Sequence, residues 1–152
     1  MQNHFTKISL SQTVQGLRAG DFSSLELTQF YLERIERLEE KIHAFISVTH
    51  DLALKQAKQA DQELFKWRKD RSNPISPLMG IPLAVKDVLC VEDVRCTCGS
   101  RVLEGFVPPF SATAVRRLID AGVVILGKTN KDEFAMGSST ENSAYGVRRI
   151  LW

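Results

Sequence analysis

Two lysines end apolar runs in this sequence. Lys86 follows Pro82-Leu83-Ala84-Val85, and Lys128 follows Val123-Val124-Ile125-Leu126 and Gly127. The carboxyl end of a buried strand is where α/β proteins place ligands. A lysine desolvated there has a lowered pKa and can take a proton from a serine hydroxyl. The competing reading of Lys86 is a strand-end side chain whose ammonium reaches water, and position alone favours it. Gly122-x4-Gly127-Lys128-Thr129 spells a P-loop, but the four intervening residues are Val, Val, Ile and Leu. They form a strand more readily than the turn that phosphate binding needs, so ATP binding at this segment is rejected. Cys90, Cys96 and Cys98 lack the paired spacing of a structural zinc site and read as isolated buried or turn thiols, so no metal is assigned. No Gly-x-Ser-x-Gly elbow is present, and His4, His43 and His50 lie in the first third as surface or helix-packing residues. The stretch from Gly127 to Ser143 is rich in small and hydrogen-bonding residues just past a buried strand. It is either a site-lining loop or a polar surface loop, and its length and place favour the former.

The elements that must carry these residues divide the chain. Residues 1–70 read as helical. Ser23-x-x-Glu26 is a capping box, followed by Leu27, Phe30, Tyr31, Ile35 and Leu38 on one helical face. A second helix spans about Asp51 to Trp67, with Ala53, Ala57 and Ala60 allowing close packing, and a short one runs from Ser11 to Arg18 and ends at Gly20. From residue 78 a strand-helix-strand rhythm sets in. Leu83 to Lys86 is a strand with Pro82 at its start, and Ser111 or Thr113 caps a helix through Val115, Leu118 and Ile119. Val123 to Leu126 has the β-branched run of a buried parallel strand. The organisation expected is a helical wrapper over residues 1–75 and an α/β core beginning in residues 76–152.

The chain has 152 residues, a formal net charge of +2, 43% hydrophobic and 25% charged residues, which excludes collagen, coiled-coil and wholly disordered classes. That charge is too small to signal a nucleic-acid or membrane partner. The first residues have no apolar signal-peptide core, and three cysteines are a poor disulfide framework, so a cytoplasmic location is expected.

Gly80-Ile-Pro-Leu-Ala-Val-Lys86-Asp87 resembles the lysine motif of the amidase signature family. Gly127-Lys-Thr-Asn-x-Asp-Glu-Phe-Ala-Met-Gly-Ser-Ser-Thr-Glu-Asn-Ser143 resembles its next motif block, and the likeness extends through Ser24 to Leu32 and Ile42 to Phe45. The long Asp132 to Ser143 form is similar to that of the glutaminase subunits, the A subunits, of tRNA-dependent amidotransferases. The resemblance implies a mixed β-sheet flanked by helices, of which this chain is the N-terminal part. It implies a Lys, cis-Ser, Ser triad in which Lys86 is the lysine, with Met136, Gly137 and Ser138 on a loop lining the substrate site. It implies glutamine as substrate and no cofactor in the glutaminase itself. It also implies ATP and Mg on a partner, the B subunit, and B and C subunits that bring a mischarged Glu-tRNA or Asp-tRNA.

Both family serines belong to a later segment, the first in Gly-Gly-Ser-Ser-Gly-Gly, which these 152 residues do not contain. Ser138, Ser139 and Ser143 match the preceding motif and are not assigned to the triad. The tail after Gly146 runs Val-Arg-Arg-Ile-Leu-Trp where the family has Asn-Pro, which a frameshift or premature stop would produce. Inactivity of this chain alone is therefore expected. The alternatives are a stand-alone amidase of the same family and a non-catalytic fragment.

Overall fold

A computed structural model of the chain describes residues 5–149. Its elements are α1 (Leu10–Ala19), α2 (Ser24–Ile42), β1 (Phe45–Val48), α3 (His50–Lys69), β2 (Pro82–Lys86), α4 (Thr113–Asp120) and β3 (Val124–Thr129). The three strands form one mixed sheet in the order β1-β3-β2, with β3 parallel to β2 and antiparallel to β1. Helices flank it, as the sequence resemblance implies.

Local chemistry starts the helices. Ser23 Oγ accepts from the Glu26 amide at 3.0 Å while the Glu26 carboxylate accepts from the Ser23 amide at 2.7 Å, so the capping box closes. Those bonds hold the Glu26 carboxyl below its ordinary pKa, the Ser23 amide acting most strongly. Asp61 of α3 adds a tertiary cap, its carboxylate accepting from the amides of Ser24 at 2.7 Å and Leu25 at 3.0 Å. Because Asp61 serves two other donors, it cannot replace Ser23. Ser23→Ala is expected to cost about 1 kcal/mol in a urea unfolding curve. A loss under about 0.3 kcal/mol would show that the tertiary cap suffices.

The apolar faces then meet the sheet on both sides. Leu32, Ala53 and Ala57 pack on Val124 and Leu126, whereas Val85, Val91, Val94 and Val115 pack on Val123 and Ile125. This alternation along β3 makes it the central buried strand. Thr49 at the head of α3 ties it down, donating its hydroxyl to the Ile125 carbonyl at 2.8 Å.

The structure differs from the sequence reading at two places. Phe45–Val48 is a strand inside the stretch read as helical. All four of its residues are half-buried, so no clean alternation marks it. Neither Ser111 nor Thr113 caps α4. Its N-cap is Ala112, Thr113 is already helical, and Ser111 Oγ accepts instead from the Glu92 amide at 2.9 Å. The Gly122 to Thr129 segment is strand from Val124 onward, in keeping with rejection of the P-loop. Gly127 is required there by close approach. A Cβ would lie 2.4 Å from the Ser47 carbonyl oxygen, at φ +157°. Among the described residues no helix is long and apolar enough to cross a membrane.

Candidate functional site

The parallel strands β2 and β3 end side by side, with Lys86 opposite Thr129 and Val85 opposite Lys128. Strand alternation then sorts the side chains. Val85 and Asp87 point into the protein, and Ala84 and Lys86 point out. Lys86 is exposed, and among the described residues no hydrogen bond or ion pair engages its side chain. Its neighbour Asp87 is fully buried.

Asp87 organises this corner. One carboxylate oxygen accepts from Lys128 Nζ at 3.0 Å, and the ion pair has no exposed side-chain surface on either partner. The other accepts from the Thr97 hydroxyl at 2.6 Å, the Thr97 amide at 2.9 Å and the Gly99 amide at 3.4 Å. Lys128 Nζ also reaches the Arg95 carbonyl at 3.4 Å. A buried charge pair holds together only with such extra donors and acceptors, and here both partners have them. Lys128 is therefore a structural cation inside the protein, turned away from any phosphate.

Lys131 is 3% exposed, and its Nζ has no hydrogen-bond partner. Burial pushes its amine pKa down. The charge of Lys86 adds to this, and Cys98, Asp87 and Cys96 oppose it. Lys131 is thus an orphaned buried amine beside the exposed Lys86.

The loop after β3 is built around Asp132. Its carboxylate accepts from the amides of Thr140 at 2.9 Å and Asn142 at 3.1 Å. These bonds hold the Asp132 carboxyl below the ordinary carboxylate pKa, Thr140 first and Asn142 next. Gly137 packs onto the same carboxylate, where a Cβ would lie 2.5 Å from Cγ. Phe134, Ala135 and Thr140 all take positive φ, which marks a tightly bent segment. Cys98 and Gly99 dock the loop, their carbonyls accepting from the amides of Phe134 at 2.8 Å and Ala144 at 2.9 Å.

Because folding depresses the Asp132 pKa, its stabilisation is full above the unfolded carboxylate pKa near 3.8 and is lost as pH falls through the folded value. The expected result is a rise in amide exchange of residues 132–142 below about pH 4, abolished as a pH effect in Asp132→Asn. Exchange that is flat across that range in the parent chain would count against this role.

Met136, Gly137 and Ser138 are exposed on the loop, and among the described residues no hydrogen bond or ion pair joins them to Lys86. Three features escaped the sequence reading: the Asp87–Lys128 pair, the orphaned Lys131, and the partner of the Cys96 thiol. Cys90, Cys96 and Cys98 are free thiols, and the Cys96 S–H donates to the Asp87 carbonyl at 3.0 Å. Burial is the first cause that pushes the Cys90 and Cys98 thiols up in pKa. The apolar groove between α1 and α2, floored by Phe22 and Phe30, shares no residue with this corner. His43 caps α2 in a left-handed conformation and His50 is exposed, neither near Lys86 in any hydrogen bond; His4 and the Ile150-Leu151-Trp152 tail lie outside the described residues.

Comparison with known proteins identifies the lineage. The chain is 55% identical over 144 residues to the A subunit of glutamyl-tRNA(Gln) amidotransferase from Hahella chejuensis (strain KCTC 2396), across 95% of this chain and 28% of that protein. Its fold superposes on native peptide amidase from Stenotrophomonas maltophilia with a TM-score of 0.82 at 35% identity, covering 95% of this chain and 30% of that one. The A subunit of glutamyl-tRNA(Gln) amidotransferase from Thermotoga maritima gives a TM-score of 0.66 at 35% identity, over 92% of this chain and 26% of that one. The chain thus spans a little over a quarter of the Hahella protein's length. The family model described as Amidase matches residues 26–149, and with the mixed sheet and its lysine-bearing strand end, this places the chain in the amidase family.

Proposed function

We propose that this chain is the lysine-bearing part of a glutaminase of the amidotransferase type. In this reading glutamine and water give glutamate and ammonia, and the ammonia amidates a mischarged aminoacyl-tRNA held by the partner B and C subunits. The observation that carries it is the 55% identity over 144 residues to the Hahella amidotransferase protein, which includes the segment bearing Lys86. The geometry suits the role. Lys86 stands at the mouth of two parallel strands, beside the buried Asp87, and its side chain engages no hydrogen bond or ion pair among the described residues, which leaves it available to a substrate or a serine of the later segment. The relay and attacking serines are those of the family's later segment, and Met136, Gly137 and Ser138 are the loop positions proposed to meet substrate.

The test joins this chain's matched residues to the remainder of the Hahella protein in place of its own N-terminal segment. Ammonia release from glutamine by the composite supports the reading, and a folded composite without glutaminase activity overturns it. The 152 residues alone are expected to release none. The likeness to a peptide amidase, with a TM-score of 0.82, favours a second reading, a stand-alone amidase. Cleavage of a C-terminally amidated peptide in preference to glutamine by the same composite would select it.

A further inference from the structure

We propose that Asp87 is a positioning residue for Lys86, its buried carboxylate fixing the main chain from which the lysine side chain leaves. In this role, which rests on the glutaminase reading above, Asp87 aims the amine without touching substrate. Lys86 is the last residue of β2, so the ladder to β3 ends with it. Just upstream that ladder is irregular. Leu83 lies opposite Ile125 but Ala84 lies opposite Gly127, so the register slips shortly before the strand end. Such a slip disrupts the ladder locally and re-aims the side chains beside it. The Lys86 side chain engages no hydrogen bond or ion pair among the described residues, so its backbone sets where the amine can reach.

Every polar group of Asp87 holds that backbone. Its amide donates to the Thr129 carbonyl at 3.2 Å, and its carbonyl accepts from the Cys96 S–H at 3.0 Å. One carboxylate oxygen accepts from Lys128 Nζ at 3.0 Å. The other accepts from the Thr97 hydroxyl at 2.6 Å and amide at 2.9 Å and from the Gly99 amide at 3.4 Å. These partners belong to two separate segments, the end of β3 and the turn over residues 96–99, so the strand end is tied from two directions. The Lys86 carbonyl accepts from the Leu89 amide at 2.9 Å, so both polar groups of the peptide joining Lys86 to Asp87 are bonded. Rigidity here bears on chemistry, because a displacement of about 1 Å at a reacting group costs on the order of a hundredfold in rate.

The Thr97 hydroxyl is the part of this lock that can be removed without stranding a charge, since Lys128 and two amides remain on the carboxylate. Thr97→Val removes it, Thr97→Ala does so without adding a group, and Thr97→Ser keeps it. In the 152-residue chain, the Asp87 and Leu89 amides are expected to exchange about tenfold faster in Thr97→Val and Thr97→Ala, at the parental rate in Thr97→Ser, and with the α2 amides unchanged in all three. In the composite enzyme, with each variant shown to be folded by circular dichroism, kcat for glutamine is expected to fall about tenfold with KM unchanged and to return in Thr97→Ser. Asp87 and Leu89 amides that keep the parental rate in Thr97→Ala would overturn the lock. Faster exchange with unchanged kcat, or a kcat loss that serine does not restore, would overturn the positioning role. A parental composite without glutaminase activity would remove the functional reading alone, and the exchange comparison would still decide whether Asp87 holds the Lys86 backbone.

Discussion

Lys128→Met is expected to destabilise the chain by about 3–5 kcal/mol, the cost of stranding one member of a buried ion pair. Lys128 and Asp87 have no side-chain surface in water and meet at 3.0 Å, so water cannot compensate the carboxylate when the ammonium is removed. The donors that remain are the Thr97 hydroxyl and amide and the Gly99 amide, all on one oxygen. They solvate the charge but do not neutralise it. Against a typical total of roughly 5–15 kcal/mol, such a loss removes a large share of stability. The check is a urea unfolding curve of both chains, where a change below about 1 kcal/mol would show that Asp87 does not depend on its counter-ion. Asp87→Asn combined with Lys128→Met should recover part of the loss, because a neutral amide needs no partner cation. Strict additivity of the two would mean that the pair is not energetically coupled.

That pair also explains why some of the site is legible in the sequence and some is not. The capping box at Ser23 and the valine run at Val123 are local signals, decided by neighbours a few residues apart, and both elements form as the sequence implies. Asp87 and Lys128 are separated by 41 residues and meet only because β2 and β3 lie parallel with Val85 beside Lys128. No spacing in the sequence encodes that meeting. Lys128 falls in a P-loop-like string that its valine run rules out as a phosphate site, and the sequence does not show that its partner is the residue after Lys86. Cys96 follows the same logic. Its thiol donates to the carbonyl of Asp87, nine residues earlier, and no local spacing signals that bond. Lys86 itself is readable as a position and as part of a motif, but its exposure is not, since that depends on which face of β2 the helices cover.

Lys86→Met in the composite enzyme is expected to lower kcat for glutamine at least about a thousand-fold, equivalent to roughly 4 kcal/mol of transition-state stabilisation. KM should change little, since the proposed task of the amine is to take a proton and it is not needed to hold the amide. Stability should be unaffected within about 0.5 kcal/mol, because the side chain is exposed and engages no hydrogen bond or ion pair among the described residues. This separation of effects distinguishes Lys86 from Lys128, only one of which can be removed without unfolding the corner. Lys86→Arg should fail as badly as Lys86→Met, because a guanidinium stays protonated and cannot serve as a base. Rescue by arginine would instead mean that the site requires a positive charge, and retention of more than about a tenth of the activity in Lys86→Met would remove the lysine from the reaction. Lys131 is the internal control. Its amine is buried without a partner, so a second base at this corner is chemically available, and residual activity in Lys86→Met that disappears in Lys86→Met with Lys131→Met would assign the remainder to it.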